Sequence, residues 1–517
     1  MSTRYDAIVI GAGHNGLVAA ATLARAGRSV CVIEKAAQIG GMAREVEWDG
    51  ARMPEMAHLL YNLSPVVSRE LGLDLEIKPL PTIGLAPDGR HIELTGDSLR
   101  YADGAAHPEA AAFEALHARL RRFAALLARL ADAPPPSLAE GLANMAAVRD
   151  IGGMARLGLD LKRLGRDDMR EFLRIILSNA YDLVLDDLSD GPAAGLLAAD
   201  AVRGAWSGPR GPGSVFTLLY RMGRGGGAGL PMGGIGAYIR ALERKAVEAG
   251  AELRCGKGVA LVRLDGERVR GVRLEDGSEI PAPAVLSSLG AAQTMALAGP
   301  ADFDIEATRR LRNLRSKGTV AKLNLLLSGP PDMPGLSAAQ RAGRLILAPS
   351  ATHVERAFDP VKYGEASVAP VIEAVIPTLS DPSLCSDGRH ILSIVVQYVP
   401  HAPKGGWTEA AREALSDTVM KALAPFMPGL SGLVQRSDLL TPADIETRTG
   451  APGGHWHHCE MSIDQLLTVR PVNGMSRYAF GPDGLWLCGS SAHPGGDLTG
   501  APGRNAARQV LAARVPA

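Results

Sequence analysis

The sequence predicts an α/β fold, with a discontinuous Rossmann-like dinucleotide-binding domain and an α+β second domain that carries a mixed sheet and a helical cap. Three observations carry this reading. A strand, a glycine turn, a helix and a second strand open the chain between Tyr5 and Lys35. A glycine-rich loop feeding an alanine-rich helix closes it, "SSAHPGGDLTGAPGRNAA" from Ser490 to Ala507. Between them lie amphipathic helical stretches before residue 200 and long apolar, strand-like runs from about 300 to 450.

The N-terminal unit is the most specific. Ala7 to Ile10 read as a short buried parallel strand, Leu17 to Ala26 as a helix that Gly27 stops, and Ser29 to Ile33 as the next strand. Gly11, Gly13 and Gly16 form GxGxxG between the first strand and the helix. Gly11 permits the tight turn, Gly13 lets the backbone approach a pyrophosphate, and Gly16 lets helix and strand pack closely. The helix N-terminus then offers free N–H groups and a positive dipole end to phosphate. Glu34 ends the second strand, 18 residues after Gly16. There its carboxylate can accept hydrogen bonds from a ribose. Shortly afterwards comes the doublet Gly40–Gly41, followed by Met42, Ala43 and Arg44. Arg44 is read either toward phosphate and cofactor or toward solvent.

From 105 to 200 the pattern is helical. "EAAAFEALHARLRRFAALLARLAD" carries an apolar stripe ended by Pro134–Pro136. "MARLGLDLKRLGRDDMREFLRIIL" has a basic face of Arg156, Lys162, Arg163, Arg166, Arg170 and Arg174, interspersed with acids. Such a face is more often a solvated side of a cap helix than a membrane surface, and peripheral membrane contact is left open. Gly233, Gly234 and Gly236 open a helix to about Ala249, and Ala251 to Arg254 form a strand. Val259–Leu264 and Val269–Leu274 read as antiparallel strands with Asp276–Gly277 at a turn, and "AVLSSLG" as another buried strand. "TVAKLNLLL", "RLILAPS", "VAPVIEAVIPTLS" and "HILSIVVQYVP" run without alternation, which predicts a covered sheet. "TEAAREALSDTVMKALAPF" is a helix stopped at Pro425. His390 and His401 are expected to be structural or exposed. At the C-terminus Gly484 to Cys488 read as a strand, with Gly489–Ser490 turning at its end.

Composition narrows the class. A chain of 517 residues buries roughly three quarters of its unfolded surface and needs no disulfide staple. With 55 basic and 55 acidic residues, no global field points to nucleic acid. The five cysteines, Cys31, Cys255, Cys385, Cys459 and Cys488, include no CxxC. That argues against a disulfide framework, a zinc ribbon or a dithiol centre, and a reduced cytoplasmic setting is expected. The apolar run "AIVIGAG" is too short for a signal peptide, and no run approaches the ~20 apolar residues of a membrane span. No second GxGxxG follows a strand, so no bound NAD(P)H domain is expected. "GGHWHHCE" holds His455, His457 and His458, but consecutive residues diverge, and no metal site is expected.

"GAGHNGL", the Gly40–Gly41 doublet, "HHCEMSIDQLLTVRP" and "CGSSAHPGGDLTGAPGRNAA" together resemble the phytoene dehydrogenase-related branch of FAD-dependent oxidoreductases. That branch includes the pyridine nucleotide-disulfide oxidoreductase domain-containing protein 2 group and sits in the amine oxidase/phytoene desaturase superfamily. The resemblance implies noncovalent FAD. It assigns 1–80, 215–298 and 453–517 to the FAD-binding domain, and 81–214 and 299–452 to the substrate domain with its cap. It carries cofactor contacts onto Gly11, Gly13, Gly16, Glu34, Lys35, Gly40, Gly41, Met42, Ala43, Arg44, Gly489, Ser490, Leu498 and Thr499, and onto Val259 through its backbone. Where many relatives place an acid on the ribityl chain, this sequence has Ser490 and Ser491.

His493, beside the last glycines, is the first candidate for a chemical role, with a local loop cap as the alternative. His458 is the second, lining the substrate cavity or satisfied structurally. His58 is a lesser candidate on the other side of the flavin. Arg470 is read as binding either a substrate carboxylate or an acidic neighbour. The implied reaction removes a hydride from an apolar or amphipathic small molecule to flavin N5, with O2, a quinone or another acceptor taking the electrons. The alternatives are a flavin amine oxidase and a non-catalytic flavin-binding scaffold. The first is weakened by the few aromatics, five Trp, nine Tyr and eight Phe.

Overall fold

The computed structural model describes residues 4–135, 159 and 162–513. Its first sheet has five parallel strands in the order Glu252–Arg254, Val30–Ile33, Ala7–Ile10, Ala284–Ser287, Leu485–Leu487. Four of its strands are short β-branched or leucine-rich runs. Ala7–Ile10, Val30–Ile33 and Ala284–Ser287 are buried at every position, as a sheet covered on both faces requires.

The helix after the first strand spans His14–Arg25. It begins three residues before the expected Leu17, because Gly13 serves as its N-cap and the two residues inside GxGxxG are already helical. Gly11 (φ 92°) makes the turn and Gly27 (φ 80°) ends the connection. The C-terminal helix, Ala501–Ala512, packs directly on His14–Arg25. A Cβ on Gly503 would lie 2.0 Å from the Asn15 carbonyl oxygen, so the two ends of the chain meet backbone to backbone.

A three-stranded antiparallel sheet, Val259–Asp265, Arg268–Leu274 and Glu279–Pro281, flanks this unit, and Asp276–Gly277 lies between its second and third strands. The large mixed sheet has eight strands in the order Val434–Leu440, Val320–Leu327, His390–Gln397, Val371–Val375, Arg344–Leu347, Thr82–Gly84, Ile92–Thr95, Ser98–Tyr101. All pairings are antiparallel except Arg344–Leu347 with Thr82–Gly84. Leu323, Leu325, Ile372 and Ile394 share one apolar core with Leu415, Val419 and Leu423 of the helix Glu409–Leu423.

The opposite face of the large sheet is not apolar. Lys322 pairs laterally with Val395 and Val395 with Glu373, while Asn324 pairs with Ser393. Side chains two apart on a strand share a face. Lys322 and Asn324 therefore project together, and Glu373 stands in the row of Lys322. All are buried. This face looks toward the cavity described below.

The helical cap packs Ala110–Ala131, Arg166–Ile176, Ala180–Leu185 and Pro192–Ala201 into one core. Ser214–Met222 joins the same core, although the expected boundary at 215 gives it to the FAD-binding domain. Part of the basic stretch from Met154 to Leu177 lies outside the described residues. Among the described residues no helix is long and apolar enough to cross a membrane.

Candidate active site

One cavity of about 890 Å³ lies where the glycine loop, the C-terminal loop and the polar sheet face meet. Small-molecule sites run from about 300 to 1,000 Å³, so its volume suits a ligand of dinucleotide size.

The three fingerprint glycines answer to different neighbours. A Cβ on Gly16 would sit 2.0 Å from the Gly11 carbonyl oxygen, and one on Gly11 would sit 2.4 Å from Ser288 Oγ. Both are held bare by the protein itself. Gly13 has ordinary backbone angles (φ −72°, ψ 171°) and nothing within 4 Å of its missing Cβ. No side chain caps this helix N-terminus. Open space in front of uncapped N–H groups fits an anionic ligand group such as a pyrophosphate.

Glu34 lines the cavity and accepts from Ala12 N (2.7 Å) and Ala36 N (2.9 Å). Lys35 lines it too and pairs with Glu275 at the surface. Gly40 donates from its N–H to the Ala12 carbonyl (2.9 Å) and forms a bridge with Gly13, which brings the doublet alongside the first loop. Gly41 and Met42 line the cavity, while Ala43 is buried outside its lining. Arg44 lines the cavity with its Nε bonded to Glu55 at 2.6 Å. Val259, Ser490 and Leu498 also line it. Gly489 packs against the Ser288 carbonyl, and Thr499 Oγ1 accepts from Ala501 N at the start of the last helix. Neither of these two is in the wall.

His493 is not in the wall either. Its Nε2 is 3.0 Å from the Leu130 carbonyl oxygen, at the end of the long cap helix, and the side chain is buried there. This corrects its expected place beside the reacting atoms: the loop turns the ring toward the cap. Among the described residues Arg470 pairs with no acidic neighbour. Fully buried, it donates to the carbonyls of Ser490 (2.6 Å), His457 (3.0 Å), Glu460 (3.0 Å) and Gln465 (3.1 Å), tying the two C-terminal segments together.

His458 does line the cavity, in a left-handed backbone conformation (φ 60°), and its Nδ1 has no partner. His14 Nε2 and Asn15 Oδ1, also at this wall, are likewise unmet. A buried polar atom without a partner is costly. The unmet atoms of His458, His14 and Asn15 are the observation by which these residues fit the polar edge of a flavin. Burial, with Arg470 adding to it, pushes His458 down to about 4, and burial beside His458 pushes His14 to about 4. Among the described residues no group of three or more His, Cys, Asp or Glu is placed to hold a metal ion.

The residues the motifs did not reveal are those of the sheet face and the cap. Glu373 is their hub. Its Oε1 accepts from Tyr61 OH (2.6 Å) and Arg203 Nη2 (2.9 Å) and lies 3.0 Å from His58 Nε2; its Oε2 accepts from Arg344 Nε (2.6 Å). Burial alone would raise its carboxyl, and Arg203 and Arg344 instead hold it well below the usual range. Lys322 Nζ is 3.0 Å from His58 Nδ1. Burial drives the Lys322 amine well below its ordinary range, and burial followed by Lys322 drives His58 to about 3. His58, Tyr61 and Arg203 reach the cavity. The one local signal for this face was a polar residue at alternate positions of "VAKLNLLL".

These buried neutral histidines make a pH prediction. His14, His458 and His493 each have a folded value of about 4 against an unfolded value near 6.5. As pH falls below 6.5 the unfolded chain takes up protons first, so their stabilisation is present above that pH and is lost toward 4. Each contributes a slope of about 1.4 kcal/mol per pH unit. Urea midpoints of the flavin-free protein are expected to fall steeply between pH 6.5 and 5, and His493→Gln is expected to flatten that fall. A midpoint independent of pH over this range would refute the assignment.

Fold and site together define the two-domain α/β architecture of FAD-dependent oxidoreductases. Residues 16–511 match the family described as flavin containing amine oxidoreductase, and the chain belongs to that family. It is 32% identical over 549 residues to the pyridine nucleotide-disulfide oxidoreductase domain-containing protein 2 of Mus musculus, covering 99% of this chain and 94% of that protein. It is 25% identical to a phytoene dehydrogenase of Streptomyces griseus, over 90% of this chain and 87% of that one. The structure of an oxidoreductase from Methanosarcina mazei superposes with a TM-score of 0.60 at 18% identity, over 98% of this chain and 100% of that one, a likeness of fold.

Proposed function

We propose that this chain is an FAD-dependent oxidoreductase that removes a hydride from a C–H bond of an amphipathic small molecule and passes the electrons to O2 or a quinone. The observation that supports it most is a single cavity. Its wall runs from Gly13 and Glu34, past Ser490, Leu498 and Tyr61, to Arg203 of the cap and Val395 of the large sheet. Bound there, FAD supplies the hydride acceptor, its N5 atom.

The chain supplies binding and orientation. Gly13 and the helix N-terminus at His14 would hold the pyrophosphate, and Glu34 would hold the ribose of the adenosine half. Asn15 and Ser490, whose Nδ2 and Oγ are 3.4 Å apart, line the cavity and would hold the middle of the cofactor. Met56, Leu59 and Val395 offer an apolar wall that orients a hydrocarbon and keeps water out. His458 Nδ1 and His14 Nε2, both neutral and unpartnered, are the proton-accepting atoms this wall offers. His493, bonded to the Leu130 carbonyl, is not given that role.

The family match also supports amine-oxidase chemistry as a second reading. One experiment separates the readings. The purified protein is expected to be yellow or to become so with FAD, and its flavin is expected to bleach anaerobically with one class in a panel of acids, amines, alcohols and hydrocarbons, then recover with O2 or a quinone. Bleaching by amines alone would transfer the assignment to amine oxidation. Flavin that binds and is bleached by no class would favour a scaffold.

A further inference from the structure

We propose that the cap end of the cavity recognises a carboxylate on the substrate, with Arg203 as its anchoring cation. This rests on the oxidoreductase reading above and narrows its substrate class to amphipathic acids.

The first observation is a guanidinium already held against two aromatic rings. The Arg203 guanidinium carbon lies 4.3 Å from the Tyr61 ring centroid and 4.6 Å from that of Trp456. Both rings and Arg203 line the cavity. A pair of aromatic faces attracts a cation. Here the protein's own guanidinium takes that place, and a substrate ammonium would be brought up against a like charge. These contacts and the bond to Glu373 restrict the guanidinium before any ligand arrives, so less freedom is lost on binding.

The second observation is unfinished pairing. Arg203 Nη2 bonds to Glu373, its buried Nε has no partner, and the side chain keeps 12% of its surface accessible in the cavity wall. Glu373 is shared among four side chains, as described above. The neighbouring guanidiniums are no better supplied: Arg344 and Arg221 share Asp200, at 2.6 and 3.0 Å. Three guanidiniums thus contact two carboxylates. A third carboxylate, Asp497, lines the cavity and balances the formal charge, but its Oδ2 is engaged by Asn62 Nδ2 at 2.9 Å. His58 is neutral at ordinary pH. The cation presented at this end is therefore the guanidinium. Its fork matches a carboxylate in a way an ammonium does not.

The third observation is what lies beside it. Met56, Leu59 and Val395 line the same cavity. An anionic head beside an apolar wall fits an acid with a hydrocarbon body, and fits a pure hydrocarbon less well.

The test uses the flavin-loaded protein and three probes of one chain length: decanoate, decylamine and decanol. Binding is read by calorimetry and by perturbation of the flavin spectrum. Decanoate is expected to bind saturably and more tightly than the other two. Arg203→Met is expected to weaken decanoate about 10- to 100-fold, the scale of one charge-assisted hydrogen bond, and to leave decanol unchanged. Arg203→Lys, which keeps the charge and the fold but loses the fork, is expected to fall between. Decylamine binding as tightly as decanoate would overturn the proposal, as would decanoate affinity indifferent to both substitutions. Because calorimetry needs no flavin, Arg203-dependent decanoate binding by a protein that retains no flavin would sink the oxidoreductase reading and sustain this one.

Discussion

Gly13→Val is expected to give a folded protein that holds no flavin, whereas Gly16→Val is expected to give no folded protein. Two glycines three residues apart in one motif are predicted to fail in opposite ways, and the difference lies in their neighbours. At Gly16 a Cβ would meet the Gly11 carbonyl oxygen at 2.0 Å, and Ser288 Oγ would stand at 3.3 Å. The obstacle is backbone in the centre of the five-stranded unit, so it cannot rotate away. Overpacking of a tight core costs about 1–3 kcal/mol when side chains can yield, and more when they cannot. Native proteins are stable by only about 5–15 kcal/mol. At Gly13 the backbone angles suit any residue and the space is clear. The exchange is expected to shift stability by about 1 kcal/mol or less, the scale of an N-cap change. A valine there occupies the approach to the uncapped N–H groups, so flavin retention is expected to fall to background. Far-UV circular dichroism and thermal melting report the fold, and flavin absorbance after reconstitution reports the site. Normal flavin occupancy in Gly13→Val would remove the loop from the cofactor site.

This contrast also marks what was legible in the sequence. The strand, glycine turn, helix and acid at residue 34 are one local unit, so their spacing carried their roles. The helix start shifts most, because an unpatterned His14–Asn15 gives no apolar period to count from. The polar row on the large sheet was not legible in the same way. Lys322 and Asn324 stand two apart inside an apolar run, which signals one polar face, but not what it faces. Glu373 takes its partners from residues 58, 61, 203 and 344, and only the strand order, set by tertiary pairing, brings these together. Arg203 had no local signal at all. His493 shows the converse error. Nearness in sequence to Ser490 suggests nearness to the cofactor, yet three residues of irregular chain are enough to turn a side chain from the cavity into the cap. Arg470 was read by charge, when its surroundings offer carbonyl dipoles instead of an acid.

Glu373→Gln is expected to cost about 3–5 kcal/mol, the penalty of removing one partner from a buried ionic group. The substitution keeps the volume and removes the charge. Its single carbonyl oxygen cannot serve the positions now taken by Arg203, Tyr61, His58 and Arg344, and its amide would point two donors at other donors. Arg344 and Arg221 would keep Asp200, and Arg203 would lose its one directly bonded carboxylate. The pH dependence has a definite sign. Because the folded carboxyl is held well below its unfolded value near 4.5, its stabilisation is complete above that pH and is lost as pH falls through the depressed range. The gap in unfolding free energy between the parent and Glu373→Gln should accordingly be constant from pH 8 to 6, while the histidines move both proteins together. Adding Arg203→Met to Glu373→Gln removes one of the cations left unpaired and should return about 1–3 kcal/mol, the usual coupling between contacting residues. A gap below about 1 kcal/mol, or a double variant whose losses simply add, would mean that the cluster is solvated through the cavity and does not hold cap and sheet together.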